Sequence, residues 1–133
     1  MSLLGRLLRP LARPGAERAR ALLGGREPVL ADELASCFGV ESAGVTQLRG
    51  NGCLALGPDL LVFAMWLPRR DVVIPRTRIV EVDTTRGHLG KTVGRPLLRV
   101  AWTREDGERD RVAWLVRDLD AWLAALGYET SAQ

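Results

Sequence analysis

The 133 residues predict a mainly β domain: a seven-stranded antiparallel sheet bent into a partly open barrel, capped by a C-terminal α-helix and preceded by a short helical leader. Three observations carry that expectation. From Val29 onward the apolar residues fall in short runs broken by turn signals such as Asn51-Gly52, Gly57-Pro58-Asp59 and Asp106-Gly107. Residues 97–103 and 109–116 alternate apolar and polar with a period of two, as half-buried strands do. The apolar spacing then changes to i, i+3, i+4, i+7 at Leu119, Trp122, Leu123 and Leu126, which is one face of a helix.

In chain order, residues 2–11 read as a short amphipathic helix. Leu3, Leu4, Leu7, Leu8 and Leu11 gather on one side, with Arg6, Arg9 and Arg13 opposite. Pro10 and Pro14-Gly15 are expected to interrupt it, and a second piece over 16–23 to stop at Gly24-Gly25. Residues 1–28 thus form a basic amphipathic leader, 29–127 the domain and 128–133 a tail. The first strand is expected over 29–38, with Leu34, Phe38 and Val40 on one face, followed by a long loop to Gly50. Strands follow at 52–56 and 60–67, paired as a hairpin across Gly57-Pro58-Asp59. Further strands are expected at 71–74 and 79–84. Residues 86–96, with three glycines and a proline, read as a loop between the latter and the last two strands. Asp118 is a suitable N-cap for the final helix and Gly127 its stop.

Composition excludes several functions. No apolar run reaches the ~20 residues that span a bilayer. Arg6 and Arg9 break the leucines that would form a secretory core, so the expected location is the cytoplasm, with the inner face of the membrane as a peripheral site. Cys37 and Cys53 sit among small and apolar residues and read as buried thiols. With one histidine and no CxxC pair, a structural zinc site lacks ligands, and no cofactor is expected. The leader holds six arginines against two glutamates, while the whole chain is only +3, so the domain itself is slightly acidic. Nucleic acid is therefore not an expected partner.

Three stretches, GNGCLALGPDLLVFAMW (Gly50 to Trp66), VVIPRTRIVEV (Val72 to Val82) and WLVRDLDAWLAAL (Trp114 to Leu126), resemble the pleckstrin-homology superfold, in particular its GRAM-like and bacterial PH-like members. The resemblance spans residues 29–127 and implies the bent sheet, the plug helix with an inward Trp122, and a binding role. Its motifs are structural and imply no particular ligand.

Candidate chemistry is sparse. Gly87-His88-Leu89-Gly90-Lys91-Thr92 suggests a phosphate loop, but Thr85 stands where that motif needs glycine, and no helix follows. Arg86, His88, Lys91 and Arg95 can still cradle an anion such as a phosphate or lipid headgroup, with Arg69 and Arg70 contributing if the loops share a rim. The plainer reading is a solvated basic loop. His88 has no local nucleophile or carboxylate partner, the serines are isolated, and Glu81 and Asp83 lie on a solvent face, so no enzyme is expected. Trp102, Trp114 and Trp122 belong to the core, whereas Trp66 can serve as an exposed anchor. The leader's leucines can dock on the barrel, on a second subunit or on anionic lipid, or remain a disordered tail. The expected function is a non-catalytic adaptor with an unidentified protein partner, of unknown oligomeric state, with an anionic membrane surface as a further expected partner.

Overall fold

One long strand is shared by two halves of the sheet. The computed structural model describes residues 3–43, 49–89 and 91–127, with 3–12 and 91–93 described by their backbone alone. Helix α1 is Leu3–Leu22, and strand β1 is Leu30–Val40. Strands β2 (Gly50–Leu56), β3 (Leu60–Met65), β4 (Arg70–Pro75), β5 (Ile79–His88), β6 (Lys91–Thr103) and β7 (Arg109–Leu115) follow, and helix α2 is Leu119–Ala125. The strands make one antiparallel sheet in the order β4-β3-β2-β1-β7-β6-β5, curled into a half-barrel.

In β1, Leu30 to Cys37 pair with β2, and Ser36 to Val40 pair with β7. Bulges between Asp32 and Ala35 and between Cys37 and Val40 bend the strand where it changes partner. Gly39 sits at φ 112° in the second bulge, a backbone region closed to side chains with a Cβ. The sequence places Phe38 and Val40 on one face. The bulge separates them: Val40 packs on the concave core, while Phe38 joins Leu97 and Ala113 on the convex side.

The concave face is continuously apolar. Leu54, Leu56, Leu61, Phe63, Val100 and Trp114 are fully buried there, and α2 adds Trp122 to the same cluster. The Phe63 and Trp114 rings stand 5.9 Å apart at 56°, a tilted packing of the favourable kind. Trp102, Trp114 and Trp122 are buried as expected. Asp118 caps α2, its Oδ1 accepting the Ala121 N–H at 3.1 Å. Arg76, in the turn between β4 and β5, donates to the Gly57 carbonyl (3.1 Å) and to the Ala125 carbonyl at the end of α2 (3.2 Å). That guanidinium satisfies an orphan helix carbonyl and ties the plug to the barrel rim.

Two expectations of breakage were not met. Helix α1 runs unbroken through Pro10, Pro14 and Gly15. The prolines are four apart, so both missing N–H groups fall on one side of the helix and the remaining ladder carries it forward. Its C-terminal half docks on the convex face: Ala16, Ala19, Leu22 and Leu23 cover Cys53, Ala55, Val62 and Ala64. The helix ends with Gly25 N–H on the Arg20 carbonyl (2.9 Å) and Gly24 N–H on the Ala21 carbonyl (3.0 Å), the two bonds of a Schellman stop. The second correction is that residues 86–96 are not a loop. Residues 86–88 continue β5 and 91–96 open β6, with Gly87 paired to Thr92 and His88 to Lys91. Gly87, Gly94 and Pro96 fall where the register shifts beyond Thr85, and Gly94 takes φ 71°, so they build a bulge within a hairpin instead of ending it.

Candidate functional site

The β5–β6 hairpin is bound down more than its composition suggests. Arg86 donates from its guanidinium to the Gly94 carbonyl at 3.0 Å, bracing the bulge. His88 is buried, and its Nε2 donates to the Gly39 carbonyl in β1 at 2.9 Å. Since β5 and β1 are separated by two strands in the sheet, about 14 Å at ordinary spacing, the hairpin end has to fold over the sheet to make this bond. His88 is thus a structural tether, and Arg86 and Arg95 remain exposed. The Lys91 backbone pairs with His88, while its side chain and Gly90 lie outside the described residues.

Arg69 and Arg70 belong to a different rim. Both are exposed at the turn between β3 and β4, beside Leu67, which is 83% exposed. β4 and β5 are the two edges of the strand order, so the two arginine groups sit on separate edge elements. The β3–β4 turn is instead joined to α1. Arg18 donates to the Met65 carbonyl (2.8 Å) and to the Arg70 carbonyl (3.2 Å), and forms an ion pair with the Asp71 carboxylate. Trp66 is half-buried under this helix, because Gly15 leaves no Cβ above its ring: one built there would stand 2.6 Å from Nε1. The exposed-anchor expectation for Trp66 is corrected accordingly. Leu3, Leu4, Leu7, Leu8 and Leu11 are placed on α1 by their backbone, and their side chains lie outside the described residues.

Two buried carboxylates were missed by the sequence reading. Asp32 accepts the Leu34 N–H (2.9 Å), the Arg117 N–H (2.7 Å) and the Arg117 Nε (3.2 Å), locking the β1 bulge to the segment before α2. Asp110 accepts the Ser42 N–H (2.9 Å), the Ser42 hydroxyl (2.6 Å) and the Arg111 N–H (2.9 Å). The Ser42–Asp110 pair has the look of an activated hydroxyl, but the carboxylate is occupied by backbone donors, and the chain's one histidine, His88, is bonded to Gly39. On the convex side Asp83 and Arg99 are cross-strand partners in a bidentate pair, Nε to Oδ1 at 2.8 Å and an Nη to Oδ2 at 2.6 Å. The Asp83 hydrogen bond raises the Arg99 pKa further, and the pair has the geometry of a strand brace, not of an acid–base site. A bulge between Ile79 and Glu81 also leaves Val80 exposed while Val82 packs inward.

Cys37 and Cys53 are buried on opposite faces of the sheet, which keeps the two sulfurs apart. Burial pushes the Cys53 thiol up to about 12, with the charges of Glu33 and Asp32 adding to it. A thiol that ionises at 9.0 when unfolded favours the unfolded chain as pH rises. Its contribution to stability is complete below about pH 9 and declines toward pH 12. Iodoacetamide at pH 8 is therefore expected to leave Cys53 unmodified in the native protein and to label it on addition of denaturant. Rapid native labelling of Cys53, read by peptide mass, contradicts this packing.

A groove of about 490 Å³ opens where β1 parts from β2, lined by Ser36, Phe38, Arg49, Asn51 and Leu115. The Arg49 guanidinium lies 5.0 Å over the Phe38 ring, and the Asn51 amide donates to the Ser36 hydroxyl at 2.7 Å. Residues 44–48, which precede Arg49 in the chain, lie outside the described residues.

Fold and surfaces together define a mainly β half-barrel with a filled concave face, a plug helix and a second helix on its outside. No family model matches the sequence, and no curated protein matches it. Among solved structures it is similar to the C-terminal domain of an unknown protein from Leishmania infantum, with a TM-score of 0.55 at 14% identity, over 84% of this chain and 92% of that one. The similarity is one of fold.

Proposed function

We propose that this chain is a non-catalytic interaction module of the PH-like, GRAM-like kind: an adaptor that engages a protein partner through the outside of its curled sheet, in the cytoplasm. The observation that carries the reading is the occupied concave face. Among the described residues fifteen buried side chains cluster there, Trp122 of α2 among them, so recognition is left to the convex face, the rims and the two sheet edges. Those edges, β4 and β5, carry exposed Val73 and Val80, and an unpaired strand edge is a ready template for a partner's strand. What supports the PH-like assignment is the strand order together with a helix plugging the half-barrel.

The alternative of an anionic ligand on residues 86–96 keeps Arg86 and Arg95, but His88 is committed to Gly39. The test is to rebuild a candidate complex from purified components and to measure its Kd with Val73→Lys and Val80→Lys variants. One edge substitution is expected to weaken binding about tenfold or more without unfolding the chain. Stoichiometric uptake of a lipophilic probe into the concave side, or turnover of a substrate by the purified chain, overturns the reading.

A further inference from the structure

We infer that the N-terminal half of α1 and the β3–β4 turn together form a docking edge for an anionic lipid surface. Docking of α1 on the sheet involves its C-terminal half, from Gly15, level with Trp66 at the end of β3, to Leu23 beside Gly57. Because the helix is continuous, residues 3–14 prolong it by about 18 Å along its axis from the level of Gly15 and Trp66. Arg18 defines which side of the helix meets that turn, through the Met65 and Arg70 carbonyls and Asp71. At 100° per residue, positions 7 and 11 fall within about 20° of Arg18 and position 4 within about 40°. The leucine positions therefore prolong the side of α1 that faces the turn. Arg6, Arg9 and Arg13 fall about 120° to 180° away.

The turn supplies the matching elements. Leu67 is 83% exposed at its tip, and Arg69 and Arg70 are exposed beside it. The nearby acid, Asp71, is paired with Arg18, so the exposed charge of the rim is positive. Segregated leucine and arginine on a helix, next to a leucine flanked by two arginines, is the chemistry of an interfacial helix on anionic headgroups. A helix is about 10–12 Å across, close to the Debye length at physiological salt, so arginines on its far side still feel the surface. One short helix binds lipid weakly, and the turn provides the second contact that stable binding needs.

This deepens the interaction-module reading by giving the module a location, and it fails separately, since loss of lipid binding leaves a partner on the convex face or edges intact. The full chain is mixed with vesicles of phosphatidylcholine alone or with about 30% phosphatidylserine, and the bound fraction is measured by co-sedimentation. Binding is expected only to the anionic vesicles and should weaken as salt rises from about 0.1 to about 0.5 M. Leu7→Glu/Leu11→Glu is expected to lower partitioning about tenfold or more, and Leu67→Glu by a few fold, with unchanged circular dichroism. Equal binding by parent and Leu7→Glu/Leu11→Glu overturns the inference, as does no binding by the parent. So does loss of binding in Arg86→Ala/Arg95→Ala with the leucine variants unaffected, which assigns the headgroup to the hairpin. A parent dimer that Leu7→Glu/Leu11→Glu makes monomeric, with no vesicle binding, assigns the stripe to a second copy instead.

Discussion

Replacing Trp122 with alanine is expected to lower the unfolding free energy by about 3–5 kcal/mol, out of the roughly 5–15 kcal/mol of an ordinary domain. The indole is 1% exposed and joins the concave cluster from a helix of only seven residues. So short a helix is not stable by propensity alone. It is held by this side chain, by the Asp118 cap and by the Arg76 bond to Ala125. Removing the ring therefore costs burial, leaves a cavity and frees the plug, and the freed plug exposes neighbours such as Leu119 and Leu123 to water. Urea unfolding followed by circular dichroism measures the loss, and increased binding of a hydrophobic dye at zero urea reports the opened end. Trp122→Phe should recover most of the stability. A loss below about 1 kcal/mol for the alanine variant would show that α2 does not seal the barrel.

Gly52→Ala is expected to cost about 3 kcal/mol, although alanine is ordinarily the better strand residue. Gly52 lies in β2 between Ala35 of β1 and Met65 of β3. A Cβ there would stand 2.2 Å from the Ala64 carbonyl oxygen and 2.8 Å from the Met65 Cα. Both are backbone atoms of a strand that is also paired to β4, so no side chain can swing aside. The entropic gain from alanine, up to about 1 kcal/mol, is smaller than the strain of displacing a central strand. Gly107→Ala is the comparison: it has open space but φ 86°, and should cost about 1 kcal/mol for the left-handed backbone alone. Equal losses for the two variants, measured by chemical denaturation, contradict the close approach of β2 and β3.

The strand count, the plug helix and the three core tryptophans were legible because each depends on local periodicity. Leu98, Val100 and Trp102 alternate along one strand, and Leu119, Trp122 and Leu123 keep helical spacing. What was not legible depended on contacts distant in sequence. Phe38 and Val40 lie on opposite faces because a bulge at Gly39 serves a strand that pairs on both edges. Residues 86–96 read as a loop because glycine and proline mark turns, and only the pairing across Gly87–Thr92 shows that they mark a bulge. His88 looked like a ligand until Gly39, 49 residues away, provided its hydrogen-bond acceptor. Asp32 and Asp110 carry no local signal, because the donors that join them to other segments, Arg117 and Ser42, are 85 and 68 residues away. Of the candidate binding residues, Arg69, Arg70, Arg86 and Arg95 are exposed, but they are split between two edge elements.

The sharing of β1 between both halves of the sheet has a consequence for how the chain is made. β1 to β4 can pair as a local meander as soon as they are synthesised, but the other edge of β1 needs β7, and the Asp32 lock needs Arg117, 85 residues later. At about 5–20 residues per second, the ribosome leaves that edge waiting for several seconds. During this interval half a barrel is present with its apolar face uncovered and one strand edge unclosed. Closure by such distant pairing is slow, on the millisecond-to-second scale of β-rich domains. Nascent chains truncated before β7 should therefore be the form of this protein that chaperones retain and proteases clear.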